Sequence, residues 1–260
     1  MLFRSKALAS PTATPGERQI GGSFEVNGTA GGGLEPYTGS LTIEPQGDLY
    51  SFRWLISKGN RVGTGVQYGN SVAAAFAPTG EGKGCGVGVY KILPDGTLDG
   101  RIAGFGDSKF SIEKATRTEG DSFAAKYSVT GTSQDGQPYS GTLETRKDGE
   151  GYDFIWKTTK PFVGFGIWRG STAAVGFGGP QCGVAYYDIV SGTSLDGYWG
   201  SPKQITIGKE SAKGNDSLES VFVRPRGDEF VSEISQFQLC VAHLRIPQTA
   251  NVVKKPSSTE

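Results

Sequence analysis

The residues through which this chain could do chemistry are scarce or scattered. His243 is the only histidine, so any Ser-His-Asp or Cys-His pair would have to use it. It stands beside an apolar run and no Gly-x-Ser-x-Gly elbow supports a nucleophile, so it reads as a packed or surface imidazole. The three cysteines are Cys85, Cys182 and Cys240. None has zinc spacing, and one histidine supplies a metal site poorly; no metal and no cofactor is expected. Cys85 and Cys182 occupy equivalent places in a duplicated pattern. They could approach across a pseudo-twofold axis and pair, within a narrow geometric window, but the plainer account is two small buried hydrophobes. Asp95, Asp99, Asp135, Asp148 and Asp196 fall in turns, where Asp-Gly favours the turn itself, and no calcium-loop spacing is present. Gly31-Gly32-Gly33 and Gly82-Lys83-Gly84 lack the Gly-Lys-Ser start of a phosphate-binding helix. Arg226-Gly227-Asp228 is too short a match to an adhesion tripeptide to carry meaning.

Aromatic residues carry the most information. Trp54 and Trp156 are equivalent in the duplication; Trp168 and Trp199 stand where the first copy has Gln67 and Ile102. Tyr50, Trp54, Tyr90, Tyr152, Trp156 and Tyr187 are the candidate lining of an interior able to hold an apolar ligand or a sugar. The same rings would equally fill an ordinary small barrel, which is the plainer reading.

These residues belong to a duplicated unit. Tyr37-Thr38-Gly39-Ser40-Leu41 recurs as Tyr139-Ser140-Gly141-Thr142-Leu143, and Tyr50-Ser51-Phe52-Arg53-Trp54 as Tyr152-Asp153-Phe154-Ile155-Trp156. Val62-Gly63-Thr64-Gly65 returns as Val163-Gly164-Phe165-Gly166, Cys85-Gly86-Val87 as Cys182-Gly183-Val184, and Leu98-Asp99-Gly100 as Leu195-Asp196-Gly197. A third copy is expected to begin at Glu210-Ser211-Ala212, which matches Glu113-Lys114-Ala115. The implied organisation is a flexible or targeting tail over 1–21, one barrel repeat over 22–120, a second over 121–216, and a divergent extension over 217–260 with a disordered tail. Within that extension Phe230 to Pro247 adds a strand or a short helix.

Composition and turn spacing define the elements. Gly is 41 of 260 residues, a density that opposes helix and, with abundant Tyr, Phe, Val and Thr, favours short strands. Turn signals recur at Gln46-Gly47-Asp48, Lys58-Gly59-Asn60, Tyr68-Gly69-Asn70 and Pro94-Asp95-Gly96, giving about eight strands per copy joined by short connections. The expected fold is all-β, with two tandem homologous antiparallel meander barrels of about a hundred residues each. Along Tyr50 to Ile56 the large rings share one face, and Gly63 and Gly65 on the next strand leave room for them. Cys85, Val87 and Val89 point one way while Gly86, Gly88 and Tyr90 point the other. Cys182, Val184 and Tyr186 repeat the pattern. A strand apolar on both sides is buried on both sides, so these six residues are the candidate interface, to the sister repeat or to another chain.

In architecture the chain resembles eight-stranded meander barrels of the avidin and lipocalin type, on strand count and a glycine-aromatic rhythm. The lipocalin Gly-x-Trp is absent, with Gly22-Ser23-Phe24 and Lys126-Tyr127 the nearest segments, and no binding residue is carried over.

Lys+Arg and Asp+Glu are 26 each, without the basic excess of nucleic-acid binders, and no apolar run is long enough to span a bilayer. Met1 to Ser10 holds Arg4 and Lys6 and no acid, without a secretory core; it fits an organelle-targeting segment or a flexible tail, and otherwise the chain would be cytoplasmic. The functional expectation is a non-catalytic structural or accessory protein, a rigid double barrel docking on other protein subunits. The alternative is a carrier of a small apolar or aromatic ligand, and the third reading a barrel-type isomerase, marked by a cavity with an unpaired Glu or Tyr.

Overall fold

The computed structural model describes residues 18–81, 84–202, 204 and 206–214. The expectations placed on the N-terminal tail before Arg18, on Arg226-Gly227-Asp228, Cys240 and His243, on Phe230 to Pro247 and on the 217–260 extension lie outside these residues. The first copy supplies β1 (Gly22–Ala30), β2 (Glu35–Gln46), β3 (Leu49–Ile56), β4 (Arg61–Tyr68), β5 (Ser71–Pro78), β6 (Gly86–Ile92), β7 (Leu98–Gly104) and β8 (Ser111–Glu119). The second supplies β9 (Lys126–Thr132), β10 (Pro138–Asp148), β11 (Gly151–Lys157), β12 (Phe162–Arg169), β13 (Thr172–Phe177), β14 (Gly183–Ser191), β15 (Ser194–Gly200) and β16 (Gly208–Gly214). The segment at Glu210 is thus the eighth strand of the second copy rather than the start of a third. Its likeness to Glu113 arises because β8 and β16 are equivalent. At the four turn signals Gly47, Gly59, Gly69 and Gly96 take positive φ, which glycine alone adopts without cost.

The strands close into two eight-stranded antiparallel barrels, with a distribution between the copies that differs from one barrel per repeat. Barrel A runs β1-β16-β15-β14-β5-β4-β3-β2 and barrel B runs β10-β11-β12-β13-β6-β7-β8-β9. Each barrel takes five strands from one copy and three from the other. β5 pairs with β14 through Ala74↔Ala185 and Val72↔Tyr187, and β13 pairs with β6 through Ala173↔Tyr90 and Val175↔Gly88. Equivalent strands present equivalent faces, so β5·β6 and β5·β14 satisfy the same side-chain pattern, and exchanging strands between copies costs little packing. The alternation that predicts a barrel is therefore blind to the exchange.

The chain crosses between barrels in the segments before β6 and β14, and there Cys85 and Cys182 form a disulfide with Cα atoms 5.6 Å apart. The pairing, rather than two separate buried thiols, corrects the plainer sequence expectation. Spacing could not reveal it, because it depends on both crossovers meeting. Gly178, at φ 112°, has no room for a side chain: a Cβ there would strike the Gly84 carbonyl of the opposing crossover.

Three apolar layers result. Barrel A holds Phe24, Leu41, Ile43, Phe52, Trp54, Tyr187 and Leu195; barrel B holds Leu98, Tyr127, Leu143, Phe154, Trp156 and Val175. Between them lies a layer containing Ala73, Ala75, Phe165, Ile167 and Ala174, together with Cys85, Val87, Val89, Cys182, Val184 and Tyr186. Those last six are the outward faces of β6 and β14 with the cysteine that precedes each strand, and alanines on β5 and β13 let the backbones come close. The glycines of β4 and β12 make room for rings inside: a Cβ on Gly65 would enter Phe52, and one on Gly166 would enter Phe154. No helix among the described residues is long and apolar enough to cross a membrane.

Candidate functional site

A buried carboxylate stands in each barrel, at the centre of a row that crosses five strands. In barrel A the row is Tyr37, Gly28, Glu210, Gly197 and Tyr187, on β2, β1, β16, β15 and β14, set by the registers Gly28↔Tyr37, Gly28↔Glu210, Gly197↔Glu210 and Tyr187↔Gly197. In barrel B it is Tyr139, Gly131, Glu113, Gly100 and Tyr90. Each tyrosine lies flat over the intervening glycine, so that a Cβ on Gly28, Gly131, Gly100 or Gly197 would enter the ring of Tyr37, Tyr139, Tyr90 or Tyr187 respectively. Period-2 alternation puts all five residues on the inner face. The missing side chains at the two glycines give both hydroxyls a path to the central carboxyl.

The hydrogen bonds match. Tyr37 Oη donates to Glu210 Oε2 at 2.7 Å, Tyr187 Oη donates to Oε1, and Trp54 Nε1 reaches Oε1 at 3.0 Å. In barrel B, Tyr139 Oη donates to Glu113 Oε2 at 3.0 Å, Tyr90 Oη to Oε1 at 2.7 Å and Trp156 Nε1 to Oε1 at 3.1 Å. Burial pushes both carboxyls above the ordinary carboxylate range, and the three donors oppose that shift. Burial, then the adjacent carboxylate, raises all four tyrosines. Three donors fill most of a carboxylate's roughly four lone-pair positions, so each group is a satisfied polar pin in an apolar interior.

The duplicated pin allows each barrel to serve as a control for the other, and they differ around the tryptophan. In barrel B, Phe162 stacks on Trp156 with centroids 4.5 Å apart and planes 18° from parallel. It also packs on Phe177 at 5.0 Å, so rings fill the space over the indole. Barrel A has Arg61 at the position of Phe162, directly across from Trp54. It also has Trp199 in place of Ile102, and opposite it Gly208 in place of Ser111. A Cβ on Gly208 would meet the Trp199 indole, so the glycine and the larger ring go together.

These replacements accompany a cavity of about 370 Å³ in barrel A. Trp54, Phe76, Trp199, Tyr37 and Tyr187 wall it, Glu210 lies at its inner end, and Lys58, Arg61 and Glu81 stand among its charged lining. The wall rings meet edge to face: Trp54 and Phe76 at 5.9 Å, Phe76 and Trp199 at 6.1 Å, Tyr37 and Trp199 at 6.0 Å. Two polar atoms of this lining, Trp199 Nε1 and Gln204 Oε1, are buried without a hydrogen bond. The indole N–H sits beside Tyr37 and acts weakly to lower its pKa, yet its geometry falls short of a bond.

Of the six candidate lining residues, Trp54 and Tyr187 face this cavity. Tyr90 and Trp156 belong to the barrel B pin. Tyr50 lies elsewhere in barrel A, donating to Gln67 Oε1 at 3.0 Å, and Tyr152 packs edge-on to Phe123 at 4.9 Å in barrel B. Glu210, Glu113, Tyr37, Tyr139 and Arg61 were missed. The available signal is an acid that recurs at repeat-equivalent places on the strand face it shares with an alanine, Glu113 with Ala115 and Glu210 with Ala212. Among the described residues no group of three or more metal-ligating side chains converges. No family model, curated protein or solved structure matches the chain.

Proposed function

We propose that the protein binds one small, planar, largely apolar molecule in barrel A, and that barrel B is its sealed structural counterpart. The observation that carries this reading is the asymmetry between equivalent positions. Where barrel B closes over Trp156 with Phe162, barrel A places Arg61, Trp199 and Gly208 and leaves a cavity of about 370 Å³. That volume lies within the roughly 300–1,000 Å³ of small-molecule sites, which are mostly apolar with a few convergent polar groups. Edge-to-face walls suit a flat ring.

The structural or accessory reading drew on the two-sided apolar strands. Their outer faces pack within the chain, in the layer between the barrels, so they supply no argument for a separate partner. A barrel-type isomerase would call for an unpaired Glu or Tyr, whereas Glu210 has three donors and recurs as Glu113 in the filled barrel.

The test is native mass spectrometry of gently purified protein, followed by titration of the emptied protein with 2-naphthylmethanol under tryptophan fluorescence. Retention of a small molecule, or saturable quenching at one site per chain, supports the reading. An empty protein that does not respond to the probe at millimolar concentration refutes it.

A further inference from the structure

Resting on the ligand-binding reading, we infer that the molecule carries a carboxylate, held at the cavity mouth by the Arg61 guanidinium with its ring directed inward. Arg61 faces Trp54 across β3 and β4, at the position where barrel B has a phenylalanine. A half-buried arginine is a poor substitute for a stacked ring if the only task is to seal the barrel. Among the described residues its guanidinium hydrogen-bonds to backbone carbonyls, Asn60 O at 3.1 Å and Lys58 O at 3.4 Å, and has no carboxylate partner. Lys58 stands nearby but is already bridged to Glu35 at 2.8 Å. Glu81 and Glu210 are the acidic members of the lining. Among the described lining residues Arg61 is therefore the cation without a carboxylate partner, and its planar donor fork matches a carboxylate through two parallel bonds.

The inner end sets the direction. Glu210 occupies it with both oxygens engaged as acceptors, so a second carboxylate there would meet like charge or opposed lone pairs. An apolar edge, or a group that donates to the remaining acceptor site on Glu210, is tolerated. The aromatic walls lie between these ends. An acid at Arg61 and a ring among Trp54, Phe76 and Trp199 satisfy all three zones.

The experiment compares 2-naphthoate with 2-naphthylmethanol, a neutral analogue of matched ring, against the full chain by tryptophan quenching. It is repeated with Arg61→Gln and Lys58→Gln. Naphthoate is expected to bind at least about tenfold tighter, as one charge-assisted contact allows. Arg61→Gln should abolish that preference by weakening naphthoate about tenfold more than the alcohol, and Lys58→Gln should reduce it only slightly. Equal affinity for both probes in the unmodified protein, or a preference that survives Arg61→Gln, overturns the carboxylate assignment and leaves the ligand-binding reading intact. Failure of both probes removes the ligand-binding reading itself.

Discussion

Tyr37 reaches Glu210 across Gly28, its hydroxyl donating to Oε2 at 2.7 Å, and the path exists only because Gly28, in register with both residues, has no side chain. Tyr187 does the same from the other side across Gly197. Gly28→Ala puts a methyl into the buried Tyr37 ring and Gly131→Ala into the half-buried Tyr139 ring, and overpacking of this kind costs about 1–3 kcal/mol. Gly21→Ala is the control, since its Cβ would meet only Ile43 O at 3.7 Å. Chemical denaturation should show the first two destabilised and the control within about 0.5 kcal/mol of the parent.

Removing the carboxyl should be worse than neutralising it. Glu113→Leu leaves Tyr90, Tyr139 and Trp156 without their acceptor, and each orphaned buried donor costs about 1–3 kcal/mol. Glu113→Gln keeps an acceptor oxygen for part of the set. Denaturant unfolding should rank parent and Gln variant well above the Leu variant. Equal loss in both would mean that charge, rather than hydrogen-bond satisfaction, decides the stability of barrel B.

The pins also give a pH dependence of definite sign. Burial raises the Glu113 and Glu210 pKa values in the folded state above the ordinary value of 4.5. A raised folded pKa means that the folded state holds its protons more tightly. That stabilisation is complete below the unfolded value and is lost as pH rises through the folded one. The melting temperature of the parent should therefore carry a component that falls on going upward from about pH 4.5. The double variant Glu113→Gln, Glu210→Gln should lack it.

The Cys85–Cys182 bond spans 97 residues of sequence and holds the two crossovers together. On a chain-entropy account, closing a loop of about a hundred residues contributes about 4–5 kcal/mol. Cys85→Ser with Cys182→Ser, or treatment with a reductant, should lower the denaturation midpoint accordingly. A midpoint unchanged by full reduction would place the stability of the crossover in packing alone.

Much of the architecture is legible in residue pattern. Turn glycines such as Gly47 and Gly96 mark the hairpins, the Tyr50-Phe52-Trp54 face marks the inside, and the two-sided strands at Val87 and Val184 mark a layer buried on both sides. The strand exchange is not legible, because β6 and β14 carry interchangeable patterns and only the pairings of β5 with β14 and of β13 with β6 distinguish their partners. The site was legible in part. Trp199 stands out as a departure from Ile102, but its meaning depends on lying beside Phe76 and Tyr37, which requires β15 to enter the barrel formed by the other copy. Arg61 carried no signal, since an arginine beside a turn ordinarily faces water.

Converting the mouth of barrel A into that of barrel B tests the central claim most directly. Arg61→Phe with Trp199→Ile places the barrel B residues around Trp54, and binding stoichiometry can then be read by native mass spectrometry with 2-naphthoate. The account gives one bound molecule per parent chain and none for the folded double variant. Two molecules per parent chain, or undiminished binding by the variant, would contradict it.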